Sequence, residues 1–584
     1  MSVSRPGSRR VIRIAGASGF WGDSSVAVPQ LVRRAQVDYI TFDYLAELTM
    51  SILAAARAKD PDAGWATDFV HTSLAGMLPE IAERGIRLLT NAGGLNPRAC
   101  AAALAEAAKA AGVTLRIAVV EGDDVRAKLP PGLLTANAYL GAFPIAAALA
   151  RDAHVVITGR CVDSALALGA LIYEFGWSPE DYDELSAGSL TGHILECGAQ
   201  GSGGLFTDWE RVERWDDIGY PIAECEPDGA FVVTKAAGTG GLIEPATVAE
   251  QMLYEIGDPA AYVLPDVVCD FTRVTMTSDG DQRVRVSGAR GRPRTESYKV
   301  AATYVDGFRC VGTLVIIGID AARKARRTAE AILARTRAIL ANRGLGDYRA
   351  TSVEIIGAEQ VYGPHARTPA AREVMMRLAV DHTDRRALEI FAREIAPAGT
   401  SWSPGTTGAG SGRPKPVPVV KFVSFLVPKE NVAVSTDVDG EPETVGIETT
   451  GVASSAYEVP PAEEAIARRS PTDEANANGR LVDIAYARSG DKGDSANIGV
   501  IARDPRFVAS IRDQVTPQRV ADYFAHLVEG PVRRYELPGI GAFNFTLDRA
   551  LGGGGMASQR IDPLGKGFAQ MLLDLPIALP GDAP

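Results

Sequence analysis

The stretch FDYLAELTMS sets two carboxylates, Asp43 and Glu47, four residues apart on one face of a helix. Two acids so placed can hold a metal or divide acid and base roles between them. The plainer alternative is that Asp43 caps the helix and Glu47 answers its dipole. GRCVDSALALG offers Arg160, whose planar fork suits a carboxylate or phosphate, and Asp163, which opens the next helix. Here the alternatives are an arginine paired with a neighbouring acid and an ordinary N-cap. Cys161 has no evident base beside it and reads as an inert buried thiol. TGHILECGAQ spaces His193, Glu196, Cys197 and Gln200 at i, i+3, i+4 and i+7, with His193 able to titrate near neutral pH. A satisfied structural histidine is the competing explanation, and no second histidine follows at a zinc-ligand interval. RSGDKGDSANIG packs Arg488, Asp491, Lys492 and Asn497 into a glycine-punctuated loop. So many charges are costly to order unless they pair or bind something.

These residues need a frame that gathers them. The segment VIRIAGASGFWGDS reads as a short apolar strand followed by Gly16, Gly19 and Gly22 and then a helix. Four more strand-then-helix units follow it. Strands are expected at 11–15, 37–42, 86–91, 114–120 and 154–158, with helices at 24–36, 44–58, 97–111, 135–152 and 163–174. This alternation predicts an open, mostly parallel α/β sheet whose ligand edge carries the loops after the strands. Asp43 and Arg160 would then meet there with the turn glycines and with Asn91, Gly93 and Gly94 of NAGGLNP. Five units are too few for an eight-stranded barrel.

The glycine turn is similar to the dinucleotide turn of short-chain dehydrogenases, and Asp43 sits where a ribose-binding acid would. Two features argue against that use. Asp23 follows the third glycine, where a second anion would repel a pyrophosphate. The chain also lacks the Tyr-x-x-x-Lys pair of those enzymes. No cofactor is therefore expected, and a divalent metal stays open.

At 584 residues the chain is long enough for two or three domains. Its net charge of −12 argues against a nucleic-acid footprint. The six cysteines are scattered without a CxxC, as in a cytoplasmic protein with free thiols. No apolar run reaches the ~18–20 residues of a membrane span. The basic N-terminus lacks the long apolar core of a secretory signal.

Beyond the parallel units, a helix is expected at 184–198 and another at 246–256. Residues 261–318 alternate like antiparallel strands, and a helix at 320–342 follows. Together they form an α+β extension at about 230–430. Residues 397–418, dense in Gly, Pro, Ser and Thr, read as a flexible linker or as a loop reaching into the site. The polar, acidic segment 453–478 is a better linker and divides a first domain, 1–452, from a small α+β domain, 479–584. That last domain should carry helices at about 517–528 and 563–574.

GASGFWGDS, FDYLAELTMS, NAGGLNP, GRCVDSALALG, HILECGAQ, the PGTTG and GRPKP pieces and RSGDKGDSANIG occur in this order. With them the chain resembles the acyclic terpene utilisation family of the AtuA type over nearly its whole length. The resemblance implies a C-terminal ferredoxin-like domain and a cytoplasmic bacterial protein of acyl-CoA-linked catabolism. The expected activity is hydration/dehydration or C–C lysis of a carboxylated acyl-CoA or hydroxy acid. Asp43, His193 and Glu196 would move protons, Asp163 would assist, and Arg160 would clamp a carboxylate. The glycine turns would present backbone N–H groups. Lys492 or Arg488, with Asp491 and Asn497, would reach the same cleft. A coenzyme A thioester is the expected small-molecule partner, and a homo-oligomer is expected. The rivals are a non-catalytic acyl-CoA-binding or assembly subunit and a nicotinamide oxidoreductase.

Overall fold

The computed structural model describes residues 11–408, 410, 412–457 and 477–581. Buried, β-branched runs form the strands β1 (Ile12–Gly16), β2 (Tyr39–Phe42), β3 (Arg87–Thr90) and β4 (Ile117–Glu121). They continue with β5 (Thr135–Ala138) and β6 (Val155–Thr158). The strands β1, β2, β3, β6 and β4 lie side by side in that order, all parallel. Helices Ala27–Arg34, Glu47–Arg57, Pro97–Ala110 and Ala165–Phe175 follow the strands as expected. Local chemistry sets their ends. Asn96 accepts a hydrogen bond from the Ala99 amide ahead of Pro97, and Gly176 closes its helix in the left-handed conformation.

The sheet as a whole is mixed, which corrects the expectation of a mostly parallel one. It has eleven strands. Beyond β1 lie Pro221–Cys225, Phe231–Lys235, Val284–Ser287 and Thr275–Ser278, each antiparallel to its neighbour. Beyond β4 lie Ser435–Val438 and Glu441–Thr444, also antiparallel. Short hairpins can add strands to the flanks of a parallel centre, because an antiparallel partner needs no crossover helix.

The expected helix at 135–152 is two elements, β5 and a helix Phe143–Ala150. β5 belongs to a second sheet built on the 21-residue strand Ser297–Ile317. Strands Glu373–His382 and Val417–Pro428 pair along opposite edges of that strand, and helices Ala321–Asn342 and Arg385–Glu394 cover one face. Within 397–418 the chain forms a short helix, Ala398–Ser401, and a strand, Thr406–Gly408, that pairs with Leu314–Ile316. Of the expected linker, 458–476 lies outside the described residues.

The C-terminal unit is a four-stranded antiparallel sheet backed by helices, among them Pro517–Tyr523 and Phe568–Leu573. The charged segment expected as a loop is a hairpin. Ala485–Lys492 pairs with Ser495–Ala502 around Gly493, whose φ is +66°. The alternating apolar residues Ala485, Ala487, Ala496, Ile498 and Val500 pack inward and carry the charges outward to its tip. This unit is packed onto the rest of the chain. Ile501, Leu537 and Ala542 join the main core, and Arg503 forms two 2.6 Å bonds to Asp208. Among the described residues no helix is long and apolar enough to cross a membrane.

Candidate functional site

Asp43 leaves the carboxyl end of β2 and is buried. Asn91, fully buried at the end of β3, donates from Nδ2 to Asp43 Oδ1 at 2.6 Å and accepts the Tyr44 amide at 2.8 Å. The Leu45 amide also donates to Asp43 Oδ1, at 3.2 Å. The bonds from Asn91 and Leu45 both end on Oδ1, and among the described residues none ends on Oδ2. Burial drives the Asp43 carboxyl well above the usual carboxylate range, and the nearby charges of Asp163 and Glu196 add to this against Arg160 and the Asn91 bond.

Arg160 leaves the end of β6 with its side chain buried. It donates to Asp163 Oδ1 at 2.5 Å and to the Cys161 carbonyl at 2.8 Å, and its guanidinium lies 4.1 Å from the centre of the Tyr139 ring. Tyr139 in turn donates its hydroxyl to Glu47 Oε1 at 2.7 Å. Burial pushes the Glu47 carboxyl up, but Arg160, the Tyr139 hydroxyl and Lys299 outweigh it and hold Glu47 below the usual range. Glu47, Asn137, Tyr139 and Arg160, with Met50 and Ala301, line a small cavity with room for about one water. Asn137 Oδ1 is buried there without a partner. Arg160 is thus committed to Asp163 and Tyr139 and orders this wall of the site.

His193 and Glu196 come from the end of the helix Tyr182–Leu195. That helix lies against Ser164 because residue 192 is glycine: a Cβ there would stand 2.5 Å from the Ser164 carbonyl. The buried imidazole has both nitrogens engaged. Nε2 donates to the Met252 carbonyl at 3.1 Å, and Nδ1 lies 2.9 Å from Glu196 Oε1. Since a carbonyl only accepts, Nε2 carries a proton, and the second bond requires one more proton between Nδ1 and Glu196. Burial pulls the imidazole down, yet Glu196 outweighs it and raises its pKa. Burial pushes Glu196 up to about 6. The two side chains therefore hold one proton jointly, and Glu196 is the member with a free oxygen.

The C-terminal hairpin closes the opposite side. Lys492 donates to the Glu255 carbonyl at 2.8 Å and stands 5.0 Å from the Tyr262 ring centre. Lys566 bridges Glu255 Oε1 at 2.7 Å and Asp491 Oδ1 at 3.3 Å, and also donates to the Tyr254 hydroxyl. Burial and the charge of Glu255 push Asp491 up to about 7 against the pull of Lys566. Asn497 donates to the Leu253 carbonyl at 2.7 Å and accepts the Glu255 amide at 2.9 Å. Arg488 bonds Gln200 and the Leu205 carbonyl and lies over Tyr254. Arg488 and Asn497 therefore dock the domain, and Asp491 and Lys492 at the hairpin tip join them through Lys566 and the Glu255 carbonyl.

The turn glycines have a packing role. A Cβ on Gly16 would lie 2.2 Å from the Leu195 carbonyl, and one on Gly19 would lie 2.8 Å from Cys197 backbone atoms. The Gly19 amide is taken by Asp23 at 2.9 Å. Gly22, at φ +106°, turns the chain. Gly93 is pressed against the Thr158 carbonyl and Pro97, and Gly94 against Leu53. Gly16 and Gly19 thus let the helix end at 195–197 approach the sheet and so bring Glu196 towards Asp43. Tyr139, Tyr262, Glu255, Lys299 and Lys566 were not singled out from the sequence. Lys299 sits in SYKVAATYV, where alternation gives it a solvent face. Among the described residues no group of three or more His, Cys, Asp or Glu side chains is placed to hold a metal ion.

The fold defines a mixed α/β protein with a docked, ferredoxin-like C-terminal unit and a cluster of buried carboxyls at the ends of its parallel strands. The family model described as acyclic terpene utilisation family protein AtuA matches residues 12–438, and that of the AtuA ferredoxin-like domain matches 479–578. The chain belongs to this family. No curated protein and no solved structure matches it.

Proposed function

We propose that the protein is an enzyme acting on a carboxylated acyl-CoA or hydroxy acid, by hydration/dehydration or C–C lysis. The observation that carries this reading is the pairing of two carboxyls held in different proton states of readiness. Asp43 is buried with Oδ2 available and its pKa well raised, and Glu196 shares a proton with His193 near pH 6. Groups tuned in this way supply general acid and base chemistry at neutral pH. In a dehydration, Glu196 would take the proton from the carbon next to the carbonyl, and Asp43 would protonate the departing hydroxyl, which leaves as water. The Gly19 amide faces Asp23, which disfavours a dinucleotide pyrophosphate in the turn.

Native mass spectrometry of the freshly purified full chain identifies any retained ligand, and the isolated protein is then tested for turnover of it. A retained acyl-CoA that is consumed, with Asp43→Asn slowing consumption at least about 100-fold, is the expected result. A retained acyl-CoA that is never consumed would make the protein a binding subunit. A retained dinucleotide would make it an oxidoreductase.

A further inference from the structure

We propose that Lys299 and Lys492 form one carboxylate-binding site, shared between the large domain and the C-terminal hairpin, that holds the acid group of an organic acid at the mouth of the cleft. The inference rests on reading the cleft as a ligand site and deepens it by naming what the ligand must carry. Lys299 projects from the strand Ser297–Ile317, with its ammonium 5.5 Å from the Tyr139 ring centre and 5.9 Å from that of Phe422. Lys492 comes from the hairpin tip and lies over Tyr262. Phe422 joins the two. A Cβ on Gly493, the neighbour of Lys492, would lie 3.9 Å from the Phe422 ring.

The other cations of the cleft are taken: Arg160 by Asp163, Lys566 by Glu255 and Asp491. Lys299 and Lys492 are both exposed, and among the described residues neither makes an ion pair with a carboxylate. Lys299 keeps solvent contact, yet desolvation by the protein packed around it lowers its pKa, and the like charge of Lys492 lowers it further. Two ammoniums near enough for one to lower the other's pKa are relieved by an anion that both can bond. The walls here are aromatic faces, and the donors are side-chain point charges. That suits a carboxylate on an apolar body better than a phosphate, which is commonly cradled by backbone amides. Neither domain alone supplies both lysines.

The test is calorimetric titration of the full chain with sodium succinate, with inorganic phosphate and with uncharged succinamide. Saturable binding of succinate in preference to phosphate is expected, with none of succinamide. Lys299→Gln and Lys492→Gln should each weaken succinate about tenfold, as expected for loss of one charge-assisted bond. Lys492→Arg should keep most of the affinity, and the remote Lys109→Gln should bind as wild type. Lys299→Gln decides the matter should Lys492→Gln loosen the hairpin, because Lys299 lies outside the docking contacts. Succinate binding weaker than about 10 mM, equal or better binding of phosphate, or unchanged affinity in Lys299→Gln would overturn the proposal. Binding at the lysines without turnover of any acid would leave this site standing and remove the enzymatic reading. Turnover with succinate binding indifferent to both lysines would do the reverse.

Discussion

Asp491 sits at the tip of the docked hairpin, and Asp491→Asn should strengthen docking as the pH rises. Its carboxyl is raised from 3.8 to about 7, mainly by burial and by Glu255. A rise of roughly three pH units corresponds to about 4 kcal/mol. The side chain is 24% exposed, so solvent screening cuts this to about 2 kcal/mol. The sign follows from proton linkage. The folded protein holds this proton more tightly than the unfolded chain does, so the group costs nothing below about pH 4. Its penalty grows between pH 4 and 7 and is complete above that. Asparagine cannot ionise and escapes it, while Lys566 keeps Glu255 at 2.7 Å. Hydrogen exchange of the amides in 485–502, compared between variant and wild type at each pH, reads the local opening. The protection ratio of Asp491→Asn to wild type should rise about tenfold from pH 4.5 to pH 8.5. A ratio that stays flat, or that falls, would refute the assignment of a buried, strained carboxyl to the docking surface.

Other substitutions probe the frame. Gly16→Ala drives a Cβ into the Leu195 carbonyl and should lower stability by about 1–3 kcal/mol in thermal unfolding, with the loss centred on packing between β1 and the 182–195 helix. Asn497→Ala removes three bonds, to the Glu255 amide, the Leu253 carbonyl and Asn544, and leaves the Glu255 amide orphaned, so about 2–3 kcal/mol of docking is lost and the amides of 252–257 exchange faster. Asn91→Ala takes away a donor that favours the Asp43 carboxylate, so the Asp43 pKa should rise further, as read from its infrared titration.

The parallel centre of the fold was legible because each strand is a short run of β-branched and aliphatic residues that ends at a Gly, Asp or Asn. The flanking antiparallel strands read only as a separate extension, since which strands sit side by side is a long-range matter that local pattern does not carry. β5 was misread as helix because TANA has no β-branched run beyond its threonine, and its partner at 300–303 lies far along the chain. The same limit governed the site. Asp43, Arg160, His193 and Glu196 stand at turns and helix ends where charge is conspicuous. Lys299 lies within a strand, where a polar residue at every second place is the ordinary signature of a solvent-facing edge, and Tyr139 follows β5 in the stretch that reads as helix. Two of the turn glycines, Gly16 and Gly19, also have a packing role that the sequence did not show: only a residue without a Cβ admits the Leu195 and Cys197 backbone.

The account turns on Asp43 being a neutral carboxylic acid at working pH, and infrared difference spectroscopy tests this without any substrate. Wild type minus Asp43→Asn at pH 7 should show the carbonyl stretch of a protonated carboxyl that is lost in the variant, and that band should persist on mild alkalinisation. A difference spectrum containing only carboxylate bands would contradict the assignment and remove the proton donor from the proposed chemistry.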